Sequence, residues 1–175
     1  FTNSAGSFSL GNFIYMLKDP ILRATLFNTL YYFVGSVAVQ FSIGFIEAVV
    51  LNAYTWKLKN VFRSLLYIPL TISPIVIALM WLIIFNPTYG PLDYILHSNI
   101  NWLGSIKLAM PTIIFANAWE YIPFVFLIIY AGLQTIPKQY YEAASIDGLS
   151  RFQTFRYVTF TKLRPILIIA FLLDS

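Results

Sequence analysis

The sequence predicts an all-α, polytopic transmembrane helical bundle, and three observations predict it. The 175-residue chain is 59% hydrophobic and only 10% charged, whereas a soluble domain is about 45–50% apolar and about 25% charged. Its mean hydropathy is +0.74. Its charges are segregated, which leaves apolar runs longer than the ~20 residues that a membrane-crossing helix needs.

The first run, FNTLYYFVGSVAVQFSIGFIEAVVLNA (27–53), has Glu47 as its only charge. The second, SLLYIPLTISPIVIALMWLIIF (64–85), has none, and the third, LAMPTIIFANAWEYIPFVFLIIYAGL (108–133), has only Glu120. Each is long enough to cross a ~30 Å hydrocarbon core as a helix, which satisfies its own backbone hydrogen bonds. Pro69, Pro74 and Pro123 disfavour soluble helices but are tolerated as kinks in a membrane bundle. Residues 163–173 begin a further apolar run that ends with the chain. The opening FTNSAGSFSL has neither the basic nor the apolar region of a signal peptide. The expectation is therefore an internal piece of a longer membrane protein.

Basic residues set the orientation. Lys57, Lys59, Arg63, Lys138, Arg151, Arg156, Lys162 and Arg164 account for eight of the 11 lysines and arginines. They assign 54–63 and 134–164 to the cytoplasmic side. Residues 1–26 and the loop 86–107, with turn chemistry at NPTYG, fall on the extracytoplasmic side. Trp102 and Tyr94 are candidate anchors on that face, and Trp56 and Trp81 candidate anchors or packing residues. Small residues from Gly35 to Gly44 suggest close helix packing. Cysteine is absent, which removes disulfide and thiolate chemistry. The single histidine, His97, sits in a loop without a partner motif, so no metal site or cofactor is implied. The net charge of +4 follows the topology and is no nucleic-acid signal.

The most polar long segment is EAASIDGLSRFQTFRYVTF, 142–160. It reads as two short helices around a sharp turn. Pro137 suits the first turn of a helix. Gly148 suits its termination with positive φ. Ser150 and Gln153 form a capping box for a second helix, with apolar residues at 152, 155, 158 and 159/160 at helical spacing. The expected tip exposes Glu142, Ala143, Ala144 and Asp147. Small residues let a partner come close, and a carboxylate can anchor an arginine. An amphipathic connector lying on the bilayer is the plainer reading of the same residues.

These residues resemble the EAA loop of ABC importer permeases. AGLQTIPKQYYEAASIDGLSRFQTFRYV is similar to the carbohydrate-uptake branch, and so are IPLTISPIVIALMWLIIFNPTYG and INWLG. The similarity runs from about Phe8 to the end, and it favours the first permease subunit of glycerol-phosphate, raffinose or maltose-type systems. The resemblance implies a type I ABC importer transmembrane domain in the bacterial cytoplasmic membrane. It implies a cytoplasmic coupling hairpin at 137–162, in which Glu142, Ala143, Ala144, Asp147 and Gly148 match the motif. It further implies a second permease subunit, two cytoplasmic ATPase subunits and an extracytoplasmic solute-binding protein as partners, in contact with membrane lipid. This chain has Phe160-Thr161 where the family pattern often has Leu-Pro, which concerns the exit of the second helix. No P-loop is present, so ATP hydrolysis is expected in a separate chain.

Asn117, Glu120, Tyr121 and Phe124 fall at i, i+3, i+4 and i+7, on one helix face. An intramembrane carboxylate is functional by default, and polar groups beside an aromatic ring suit a sugar. In related maltose-type permeases the stretch matching NAWEYIPF contributes to the substrate site, so the resemblance implies the same face. The alternative is a structural carboxylate bonded to a neighbouring span. Glu47, on one face with Gln40 and Gly44, reads as structural or as a subunit contact. Thr71 and Ser73, between Pro69 and Pro74, are expected to break the second span and to offer backbone carbonyls to a pathway. Two rival functions remain: import of a polyamine or amino acid, with Glu120 as counter-ion, or a non-transporting membrane scaffold whose hairpin docks a partner.

Overall fold

The structure, a computed structural model, describes residues 19–53, 57–97 and 99–174. Trp56 and residues 1–18 of the expected extracytoplasmic N-terminus lie outside the described residues. All the regular secondary structure among the described residues is helical: α1 (Pro20–Ala53), α2 (Lys59–Leu66), α3 (Ile68–Thr71), α4 (Pro74–Ile84), α5 (Pro91–Leu96), α6 (Ala109–Gln134), α7 (Lys138–Ile146), α8 (Arg151–Thr154) and α9 (Phe160–Asp174), with a π-helical turn at Phe155–Thr159 joining the last two. α1 and α6 are each long and apolar enough to cross a membrane, holding 18-residue stretches of mean hydropathy 1.9 and 1.7.

The chain divides into two units, 1–35 and 36–175. The first holds the opening half of α1. There the Asp19 carboxylate accepts a hydrogen bond from the Ile21 amide at 2.9 Å. Thr25 and Thr29 hydroxyls donate to the carbonyls four residues back, so these side chains satisfy themselves without a partner helix.

The second unit is built on the rest of α1, α6 and α9. Its core joins Ala48 and Leu51 to Val125, Phe126, Ile129, Tyr130 and Leu133, and to Leu163 and Ala170. In lipid the hydrophobic effect does not drive helices together, so close packing must do so. Gly44 shows how close: a Cβ there would sit 3.0 Å from the Phe126 backbone nitrogen. Further along α6, a Cβ on Gly132 would meet the Ile166 side chain at 2.6 Å. Edge-on ring pairs, Phe41 with Phe171 and Phe45 with Phe155, fill the joint between α1 and the C-terminal helix. The outer surface stays apolar, with Ile46, Ile75, Leu79, Leu82 and Ile169 exposed.

No single helix covers 64–85. The chain turns at Tyr67, runs one turn as α3, and breaks at Ile72 and Ser73 before α4. Proline lacks an N–H and disfavours helix in the residue before it. Pro69 and Pro74 accordingly sit near the starts of α3 and α4. The expected local break is present, and it shortens the second run to an 11-residue helix.

Candidate functional site

The hairpin of α7 and α8 is assembled from local bonds. α7 starts one residue after Pro137, which is its N-cap. At the other end the Asp147, Gly148 and Leu149 amides donate to the Ala143, Ser145 and Ala144 carbonyls. Gly148 has φ +70°. A Cβ there would meet nothing within 4 Å, so the backbone alone calls for glycine. The capping box follows: the Gln153 amide donates to Ser150 Oγ at 3.3 Å, and the Ser150 amide donates to Gln153 Oε1 at 2.8 Å.

Beyond the cap, α8, the π turn and α9 form one unbroken helical path from Arg151 to Asp174. The extra residue in the π turn shifts the buried face. Thr159, Leu163 and Ala170 face inward, while Phe152 and Phe160 are 70% and 43% exposed. The apolar spacing expected through 152 and 160 is thus corrected. Two contacts tie α7 to this path. Tyr141 Oη and Thr159 Oγ1 share a hydrogen bond at 3.2 Å, and Lys162 Nζ lies 4.1 Å from the Tyr140 ring centre.

Glu142, Ala143, Asp147 and Gly148 are exposed at the hairpin tip. Ala144 is not; it is 3% exposed. It lies three residues after Tyr141, on the face that the Tyr141–Thr159 bond turns inward. Ile146 takes the outward place at 87% exposure. The sequence reading missed it; its signal is an apolar residue beside Asp147-Gly148. Behind the hairpin lies a cleft of about 670 Å³ lined by Asn52, Tyr141, Arg151 and Thr159, among others.

The second candidate region is the polar face of α6. Gln40 is buried, and its Nε2 donates to Asn117 Oδ1 at 2.9 Å. The network is satisfied better with the Gln40 amide turned over. Its NH₂ then donates to the Asp174 carboxylate at 2.8 and 3.2 Å, and its oxygen faces the Asn117 amide. Three helices thus meet at Gln40, Asn117 and Asp174. Asp174 was not anticipated; its signal is a carboxylate in the apolar run LIIAFLLD. Glu120 and Phe124 are half-buried and Tyr121 is 38% exposed. Of the four residues on the expected face, Asn117 is the one held in this cluster. Glu47 is half-buried beside the face formed by Gln40, Gly44 and Ala48, and its Oε2 is shielded without a hydrogen-bond partner among the described residues. Thr71 and Ser73 are exposed, and Thr71 Oγ1 donates to the Ile68 carbonyl at 2.7 Å.

The loop between α4 and α6 is ordered by its own polar side chains. Asn86 Oδ1 accepts from the Thr88 and Tyr89 amides. Trp102 Nε1 donates to the buried Asp93 carboxylate at 2.9 Å. Tyr94 is 82% exposed. His97 is exposed and ends α5 in the left-handed region, at φ 48°. Trp81 packs among Phe85, Phe115 and Trp119.

The comparisons give the class to which this helical membrane domain belongs. Residues 40–175 match the family described as binding-protein-dependent transport system inner membrane component. The chain belongs to that family. It is 35% identical over 170 residues to the trehalose/maltose transport system permease protein of Thermococcus litoralis, covering 95% of this chain and 57% of that protein. It is 34% identical over 165 residues to the sn-glycerol-3-phosphate transport system permease protein of Agrobacterium fabrum, covering 93% of this chain and 56% of that one. The chain thus spans a little over half the length of these relatives. Its fold matches a bacterial ABC transporter involved in the import of the acidic polysaccharide alginate, with a TM-score of 0.86 at 20% identity over 96% of this chain and 60% of that one.

Proposed function

We propose that the whole protein is the permease subunit of a binding-protein-dependent ABC importer for a sugar or sugar derivative. The carrying observation is the hairpin: a tip closed by backbone bonds at the end of α7 and by a capping box at the start of α8, joined without a break to a bundle helix. A slack connector would transmit nothing; this one is stiff enough to act as a lever. On this reading α1, the α3–α4 segment, α6 and α9 cross the membrane. The 137–162 hairpin docks on a cytoplasmic ATPase, with Glu142 pairing a basic group and Ala143, Ile146, Asp147 and Gly148 at the contact. ATP-driven closure pushes α7. The push passes through Tyr141–Thr159 and Lys162–Tyr140 to α9, which slides on α6 at Gly132. A second permease subunit completes the pathway, two ATPases supply the stroke, and a solute-binding protein docks at the 86–107 loop.

Names of relatives support a sugar or glycerol-phosphate substrate. Asn117, Glu120, Tyr121 and Phe124 supply acceptors, donors and a ring on one helix face, and Asp174 adds a carboxylate beside Asn117. Thr71 and Ser73, at the break between α3 and α4, contribute backbone carbonyls to the same pathway.

The test is Glu142→Lys in the full-length protein, co-expressed with its ATPase. Charge reversal at a docking contact is expected to cut ATPase co-purification and uptake at least tenfold while insertion is retained. Survival of both would make the hairpin a mere connector. Glu120→Gln separates a transporter from a scaffold: a transporter loses or alters uptake while its partners still co-purify, and a scaffold changes in neither.

A further inference from the structure

The sequence alone marked Lys57, Lys59 and Arg63 only as a topological signal. The structure puts Lys59 and Arg63 on an amphipathic helix with a face of its own, with Lys57 just before it. α2 buries none of its residues. Leu58, Val61, Phe62 and Leu65 fall at i, i+3, i+4 and i+7, and they are 62%, 56%, 41% and 56% exposed. Asn60 and Ser64 lie on the opposite side, also exposed. Lys59 and Arg63, one turn apart, also lie away from the apolar stripe and are half-buried. Lys59 Nζ lies 5.7 Å from the ring centre of the buried Tyr130, which fixes the inner side of the helix against α6. Lys57 is exposed just before the helix begins.

Charge and position agree on the partner. No acidic residue occurs between Glu47 and Asp93, so nothing nearby in sequence neutralises the three cations. Residues 64–92 are wholly uncharged, so α2 stands where the apolar stretch meets the charged one. A helix with exposed leucine, valine and phenylalanine on one side and basic groups on the other lies in a membrane interface, its apolar face among the acyl chains. Basic side chains at that depth reach up to the headgroups and attract anionic lipid.

We propose that α2, with Lys57, Lys59 and Arg63, is a binding site for an anionic phospholipid headgroup of the cytoplasmic leaflet. Arg63 and Lys59 hold the phosphate from one side of the helix and Lys57 from its start, while the Leu58–Leu65 stripe packs on the acyl chains. The inference rests on the membrane orientation proposed above.

The test uses the full transporter complex and phosphatidylglycerol as the probe. Native mass spectrometry from mixed bilayers gives the preference of the complex for phosphatidylglycerol over phosphatidylcholine. Lys57→Gln/Lys59→Gln/Arg63→Gln is expected to lower that preference tenfold or more, at about fivefold per charge. Asn60→Lys/Ser64→Lys adds charge to the exposed face without touching Tyr130, and is expected to raise it severalfold. This second variant decides the matter should the first insert wrongly. An unchanged preference in an inserted variant overturns the site. So does loss of a protein partner from the triple variant with lipid preference intact, because the stripe would then be a protein contact. Uptake by the wild-type complex is read separately in phosphatidylglycerol vesicles. Failure there would sink the importer reading and leave the lipid preference as measured.

Discussion

The hairpin at 138–160 and the polar cluster inside the bundle are both made of hydrogen-bonded polar residues, yet they are built in opposite ways. The hairpin closes over short spans: Gly148 turns it, and Ser150 and Gln153 exchange bonds three residues apart. The cluster closes over long ones, since Gln40 and Asn117 are 77 residues apart. A locally built element can keep its shape while it is pushed. A cluster built across helices changes whenever the helices move. That is the division expected of the proposed lever and of the proposed pathway.

The comparison breaks most visibly at Gly44. Its absent side chain faces the α6 backbone, which cannot step aside. Gly44→Val should force α1 from α6 and destabilise the bundle by about 1–3 kcal/mol. Hydrogen exchange on the full-length protein should speed up across 109–134 and leave the 138–150 amides protected. Gly132→Ala, against the movable Ile166 side chain, should be much milder. Equal effects would mean that the α1–α6 contact is looser than the structure has it.

Gly148→Val is the matching blow to the hairpin. The position has open space but a left-handed backbone. A β-branched residue there should cost about 1–2 kcal/mol, with Gly148→Asn costing less. The damage should stay in the hairpin, read as faster exchange at 144–150 and weaker ATPase co-purification, with an unchanged bundle. Ser150→Ala removes the cap and should cost about 1 kcal/mol, again confined to 150–154. Spread of either effect into α6 would contradict a locally built hairpin.

The same contrast explains what the sequence could reveal. The all-α membrane class was legible because it depends on composition and run length. Gly148 and the Ser150–Gln153 box were legible because their chemistry lies within a few residues. The inward turn of Ala144 was not, because the Tyr141–Thr159 bond decides it from 18 residues away. The π turn at 155–159 was hidden for a related reason: nothing in FRYVT demands it, and the face shift it produces shows only once α9 packs on α6. Gln40 and Asp174 were passed over as pathway residues because each looks isolated until three helices converge. The break of the second span was legible from Pro69 and Pro74, though not the extra turn at Tyr67.

The finest probe of the comparison is the Gln40–Asn117 bond itself. Polar contacts between membrane helices average about 0.6 kcal/mol, because each group finds other partners when the helices part. A double-mutant cycle of Gln40→Leu and Asn117→Leu, read by unfolding the full-length protein in micelles, should give a coupling of that size. Uptake should respond more strongly than stability, since Asn117 also sits on the proposed pathway face. A coupling near zero would mean that Gln40 and Asn117 do not hold each other. Asn117 would then be free for substrate throughout the cycle, and the bundle would owe its cohesion to apolar packing such as that at Gly44 and Gly132.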